Sequence, residues 1–287
     1  MKKSDKSNAD RRSFLRTAGA VSALAAAPKN VFAQHGSDQK IRVALIGCGG
    51  RGTGAAADAL VAENAPLQLS AMADVFPEKL KSSRDLLRQV FAATPAKVDV
   101  PDDRQFLGFN AYQQAIDQLR PGDIALLATP PAFREIHFKY AIDRGLHVFM
   151  EKPVTVDGPT SVRMLEHAKQ ADAKNLKCAV GLMVRHCRGR QELHQRIADG
   201  EIGDIVCMRG YRMHGPIVTC FSKPKPPEKS ELMHQIERFH SFLWASGGLY
   251  SDFNIHQIDE LSWMKNAWPV KARGIGGRHY RGDYVDQ

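Results

Sequence analysis

A chain of 287 residues is long enough for about two domains and a substantial core. Its 43% hydrophobic and 25% charged residues are ordinary for a globular protein. The net charge of +9 is basic, but the first 34 residues hold seven of the Lys and Arg against two Asp; removing that surplus of five leaves about +4, too little to indicate a nucleic-acid partner.

Residues 1–33 read as an address rather than as part of the fold. A basic, polar start leads to Asp10-Arg11-Arg12-Ser13-Phe14-Leu15-Arg16, a small apolar run covers residues 18–27, and Val31-Phe32-Ala33 offers a small-residue cleavage site. Adjacent arginines followed by Phe-Leu resemble a bacterial twin-arginine signal, with an ordinary secretory signal as the alternative. The apolar run is shorter than the roughly 20 residues a span needs, and no other stretch is long enough to cross a bilayer. The expectation is a periplasmic protein, delivered by the twin-arginine export machinery, without a stable membrane span after cleavage.

The first strand-type stretch is Ile41-Arg42-Val43-Ala44-Leu45-Ile46, an apolar run that breaks into Gly47-Cys48-Gly49-Gly50-Arg51-Gly52 and continues as an alanine-rich helix at residues 55–62. Gly47, Gly49 and Gly52 fit G-x-G-x-x-G. The first glycine makes the tight turn, the second admits a pyrophosphate to the backbone, and the third lets helix and strand pack closely. The phosphates then lie at a helix N-terminus, where unpaired N–H groups and the dipole favour an anion. A second strand, residues 67–73, ends at Asp74, which is placed to accept hydrogen bonds from the adenosine ribose hydroxyls; with no arginine directly after it, NAD is preferred over NADP.

An amphipathic helix follows at residues 77–92, with Leu80, Leu86, Leu87, Val90 and Phe91 available for one face. A short strand is expected at Phe106 and a helix at residues 111–119, ended by Pro121-Gly122. The continuous apolar run at residues 123–128 suits a buried parallel strand and stops at Thr129-Pro130-Pro131. A helix at 133–144 and a strand at 146–150 complete an alternating βα pattern, hence an α/β fold with a doubly wound parallel sheet. That last strand ends in Glu151-Lys152-Pro153, which would aim an ammonium at the nicotinamide cleft, because ligands collect at the carboxyl edge of such sheets. A surface lysine before a turn is the alternative. The five cysteines include no C-x-x-C pair, which indicates neither a disulfide framework nor a zinc site, and buried thiols are expected for most of them. No metal is expected.

These motifs together resemble the glucose-fructose oxidoreductase and inositol dehydrogenase family, usually written Gfo/Idh/MocA. The resemblance rests on GCGGRG at residues 47–52, Asp74, ATPP at 128–131 with His137 following, GLHVFMEKPVTVD at 145–157, VGLMVRH at 180–186, DGEIGDI at 199–205 and GGLYSDFNIHQIDELSWM at 247–264. It implies an NAD-binding Rossmann domain at 38–155 and a second α+β domain at 156–287, for substrate binding and oligomerisation, with an open, largely antiparallel sheet. Residues 205–214 and 267–275 are expected to supply strands of that sheet, which looks incomplete at Gln287. A homo-oligomer through this sheet is a further expectation. Gly47, Gly49, Gly50, Arg51, Gly52, Asp74, Thr129, Pro130, Glu151 and Lys152 are the expected cofactor-binding residues.

On the last motif Asp252 and His256 are four residues apart, so both lie on one helix face, with Asp259 on a nearby face. A carboxylate beside a histidine can tune it as a general acid or base. Read without the resemblance, that pair is equally a surface hydrogen bond; the resemblance implies that Lys152, Asp252 and His256 form the catalytic group. Arg185 and His186 are candidates for substrate contact or for lining a domain interface.

The leading expectation is an oxidoreductase that transfers a hydride between a sugar or sugar derivative and NAD. Behind an export signal for folded proteins, the cofactor would be loaded in the cytoplasm and retained. Two alternatives stand beside it: an NAD-dependent glycosidase working by oxidation, elimination, hydration and re-reduction, and a non-catalytic nucleotide-binding module.

Overall fold

The computed structural model describes residues 40–213 and 224–277. The signal-like segment at 1–33 lies outside the described residues, as do residues 214–223, which include the end of the expected strand at 205–214.

Six strands form one sheet: β1 (Ile41–Ile46), β2 (Leu67–Asp74), β3 (Gln105–Leu107), β4 (Ile124–Leu127), β5 (His147–Met150) and β6 (Cys178–Val180). Their order is β3-β2-β1-β4-β5-β6 and every pairing is parallel. The chain therefore winds outward from β1 in one direction and then returns past it in the other. That reversal opens a crevice above the carboxyl ends of β1 and β4. The sheet runs on past Thr155, through a helix at Gly158–Ala173, to its sixth strand.

Both sheet faces are covered, which explains the continuous apolar runs. Val43 and Leu45 of β1 point into a cluster with Ala55, Ala56 and Leu60 of α1 (Gly50–Val61) and Leu80 and Leu87 of α2 (Pro77–Val90). Ala44 and Ile46 point the other way, toward Ala115 of α3 (Ala111–Ile116), Phe138 and Ile142 of α4 (Arg134–Asp143), and Met164 of α5 (Gly158–Ala173). The two-residue period of a strand thus feeds two cores at once. On α2 only part of the expected face is buried: Leu80, Leu87 and Phe91 face the sheet, whereas Leu86 and Val90 are exposed, because the helix presents one narrow stripe to β2.

After β6 the regular elements among the described residues are helical: α6 (Arg188–Ala198), α7 (Glu231–Glu237), α8 (Leu243–Ser246), a π-helical turn (Tyr250–Asn254) and α9 (Ile255–Lys265). The expected strands at 205–214 and 267–275 are corrected here: the described residues of both stretches form no strand, and Val206, Met213, Val270 and Ile275 are exposed. A strand is stabilised by its neighbour's ladder, and neither stretch has a neighbouring strand among the described residues. The cysteines also depart from expectation. Cys48 is buried in the glycine loop, but Cys178 on the edge strand, Cys187 before α6 and Cys207 in the unpaired stretch are exposed.

Candidate functional site

A cleft of about 780 Å³ opens above the carboxyl edge of the sheet, within the size range of small-molecule sites. Its floor is the β1–α1 loop. Gly47 takes φ +95°, a left-handed conformation natural to glycine, and a Cβ there would stand 2.7 Å from the Thr129 nitrogen. At Gly52 a Cβ would fall 1.9 Å from the Gly47 carbonyl oxygen, so this glycine lets α1 close on β1. Gly49 and Gly50 differ: a Cβ at either meets nothing within 4 Å, and no side chain caps α1. Open backbone and uncapped N–H groups above a tightly packed turn fit the pyrophosphate of a dinucleotide.

Asp74 ends β2 at the wall of this cleft. Its carboxylate accepts from the Cys48 N–H at 2.6 Å and the Phe76 N–H at 2.9 Å. Burial raises its pKa above the ordinary carboxylate value, and those N–H bonds oppose the rise. Each oxygen keeps a further lone pair for a ribose hydroxyl. Lys79 also lines this end.

At the opposite end, β4 delivers Thr129 and Pro130, and β5 delivers Glu151 and Lys152. Glu151 pairs with Arg51 Nε at 2.8 Å, joining the glycine loop to the end of β5. The Thr129 hydroxyl is 3.2 Å from Nδ1 of His137, whose ring lies 4.2 Å from that of Tyr112. Burial, with the nearby Arg134 charge, pushes the His137 pKa down to about 3. The Lys152–Pro153 peptide is cis.

Lys152 Nζ donates to Asp252 Oδ1 at 2.9 Å and to the Asp252 backbone carbonyl, with the Phe253 ring 5.5 Å away. Gly247 and Gly248, at φ +73° and +76°, carry the chain into the π-helical turn that holds Asp252; a Cβ at Gly247 would meet Val156 Cα at 3.2 Å, so glycine permits this close approach. The other Asp252 oxygen lies 3.4 Å from Nε2 of His240, which lines the cleft. His240 was not singled out by the sequence reading. It sits 12 residues before Asp252 in a short 3-10 turn, Phe239–Ser241, where no spacing rule links it to the carboxylate.

His256 lies at the start of α9, 6% exposed, outside the lining of the cleft, and its Nδ1 has no hydrogen-bond partner among the described residues. Burial lowers its pKa below 6.5, helped by Lys152 and Arg212 and opposed by Asp252 and Asp259. Burial likewise lowers that of His240, where Asp252 pulls up and Lys152 down. Both shifts favour the neutral ring, the form that accepts a proton.

Arg185 and His186 do not line the cleft. Arg185 instead forks onto buried Asp259, with Nε at 2.9 Å and a terminal nitrogen at 2.8 Å, and its guanidinium lies 5.5 Å from the Trp263 ring. His186 is exposed. Of the two readings of Arg185, geometry favours packing of α9 against the turn after β6.

Residues 41–182 match the model of the GFO_IDH_MocA oxidoreductase family, NAD-binding Rossmann fold. The chain is 32% identical over 150 residues to an inositol 2-dehydrogenase of Corynebacterium glutamicum (strain R), covering 52% of this chain and 37% of the relative. It is 26% identical over 157 residues to a scyllo-inositol 2-dehydrogenase (NAD(+)) of Bacillus subtilis (strain 168), covering 54% and 39%. The matched part spans well under half the length of these relatives. Among solved structures, myo-inositol 2-dehydrogenase from Lactobacillus plantarum shares the fold with a TM-score of 0.56 at 24% identity, covering 79% of this chain and 57% of that one. Glycine loop, acidic strand end and sheet order agree with that match: residues 41–182 carry the NAD-binding Rossmann fold of the Gfo/Idh/MocA oxidoreductase family.

Proposed function

We propose that this chain carries the cofactor-binding and catalytic parts of an NAD-dependent oxidoreductase acting on a ring hydroxyl of a sugar or cyclic polyol. The observation that carries this reading is the meeting of Lys152 and Asp252, 100 residues apart, in the same cleft as the glycine loop and Asp74. NAD, when bound, supplies the hydride acceptor. Gly49, Gly50 and Arg51 offer helix N–H groups to its pyrophosphate, Asp74 accepts from its ribose hydroxyls, and Thr129, Pro130 and Glu151 wall the nicotinamide end. Lys152 donates a hydrogen bond to the reacting oxygen and stabilises the negative charge that develops there. Asp252 holds Lys152 through one carboxylate oxygen and stands 3.4 Å from His240 through the other; His256, one turn further on, or His240, which lines the cleft, takes the hydroxyl proton. The named inositol dehydrogenases support a sugar-like polyol as substrate. Arg11-Arg12 with Phe14-Leu15 supports twin-arginine export with NAD already bound.

The test uses the full natural chain, purified without added nucleotide and offered inositols, free sugars and glycosides, with products followed by mass spectrometry. Oxidised polyol formed only after NAD is supplied supports the dehydrogenase and removes the retained-cofactor element. Paired oxidised and reduced sugars formed without added NAD support both. Repeated release of hydrolysed glycoside would replace this reading with the glycosidase cycle, and absence of both turnover and NAD binding would overturn it.

A further inference from the structure

Arg134, the first residue of α4, is the largest fully buried side chain in the described fold, at 1% exposure. Among the described residues it forms no ion pair with a carboxylate. Its two terminal nitrogens donate instead to backbone carbonyls, one to Glu151 and the other to Thr129 at 2.5 Å. Both carbonyls lie just past the strand ends. The last rungs between β4 and β5 include the Glu151 N–H donating to the Leu127 carbonyl, and beyond that point the ladder stops. The guanidinium therefore replaces a missing rung, bridging the carboxyl ends of two adjacent strands.

This is an expensive place for a cation. Burial lowers its pKa to about 10, with the Glu151 charge opposing the fall, which leaves it charged at pH 7, and it stands at the positive end of a helix dipole. An apolar side chain of similar volume would avoid both penalties. What only the planar fork supplies is simultaneous donation to two carbonyls in fixed directions. One of them belongs to the peptide plane from which Lys152 departs, and Lys152 Nζ sits at hydrogen-bond distance from Asp252.

We propose that Arg134 is a positioning residue: by clamping the Thr129 and Glu151 carbonyls it fixes the peptide before Lys152 and so holds the Lys152 ammonium on Asp252 and toward the reacting oxygen. This rests on the reading of Lys152 given above. Lysine reaches one carbonyl at a time, so Arg134→Lys keeps the charge and loses the fork.

Two measurements test this on the full natural chain. The first needs no turnover: labelling of Lys152 by an amine-reactive reagent, followed by peptide mass spectrometry, with exposed Lys81 as control. Arg134→Lys, and Arg134→Gln as the second variant, should raise Lys152 labelling several-fold relative to Lys81 without a large change in thermal midpoint. Unchanged Lys152 protection in a folded variant overturns the proposal. The second is a kinetic cycle with Lys152→Met. Arg134→Lys should lower kcat by about 10-fold or more with substrate KM little changed, and should cost less than about twofold in the Lys152→Met background. Equal losses in both backgrounds would make Arg134 purely structural and overturn the proposal. Wild-type kcat in Lys152→Met alone would sink the Lys152 assignment, while increased Lys152 labelling would still report the clamp.

Discussion

Asp74 decides how the adenosine end of the cleft discriminates. Its carboxylate already holds the glycine loop through the Cys48 N–H, so it orders the loop and offers lone pairs outward. Asp74→Ala is expected to weaken NAD binding by about 10- to 100-fold, the value of a charge-assisted hydrogen bond, and to narrow the preference over NADP. Fluorescence titration with both nucleotides checks this. The two histidines beside Asp252 divide on a second prediction. His256→Ala should lower turnover by about 10² to 10⁴ while leaving NAD affinity within about threefold. If His240→Ala shows the larger loss, the proton acceptor is the histidine that lines the cleft. Because burial lowers both pKa values, the acid limb of the pH–rate profile should fall below pH 6.5.

At the scale of elements, the four glycines of the loop separate into two jobs. Gly52→Ala would drive a Cβ into the Gly47 carbonyl and should destabilise the fold by at least about 3 kcal/mol in urea unfolding. Gly49→Ala meets no protein atom, so its stability should stay within about 1 kcal/mol of the parent while NAD affinity falls at least about 10-fold. Loss of stability in Gly49→Ala would count against open space at that position. The Arg185–Asp259 fork belongs to the same scale. Arg185→Ala leaves a buried carboxylate unpaired and should cost about 1–3 kcal/mol, the lower values reflecting a partly exposed guanidinium. Substrate KM should not change. A large rise in KM at unchanged stability would restore Arg185 as a substrate contact.

For the whole molecule, buried neutral histidines set the acid limit. The His137 pKa falls from 6.5 to about 3 in the fold. Below pH 6.5 the unfolded chain takes up a proton that the native ring refuses, so stability is lost as pH falls and is fully present above that value. For His137 the loss approaches about 1.4 kcal/mol per pH unit down to about pH 3, and His240 and His256 add in the same direction. Urea midpoints at pH 7.5, 6 and 5 should decline in that order; a flat profile would place His137 in water.

What the sequence by itself determined is the nucleotide half: the strand-to-helix glycine turn, the acidic end of β2, the βα alternation and the lysine closing β5. Each is local, since positive φ, two-residue alternation and helix punctuation depend on neighbours a few residues apart. Residues 205–213 and 267–275 marked the limit of such reasoning, because apolar residues in an extended run do not say whether a partner strand will lie alongside. Only the tertiary structure decided which distant groups meet: Lys152 with Asp252 and Arg51 with Glu151, each 100 residues apart, and Arg185 with Asp259 at a separation of 74. It also brought His240 to the cleft and Arg134 to the strand ends that border it. Spacing along a chain fixes rotation about an element's own axis, whereas the meeting of strand ends, turns and helix starts is fixed by how the sheet winds and by what the two cores bury.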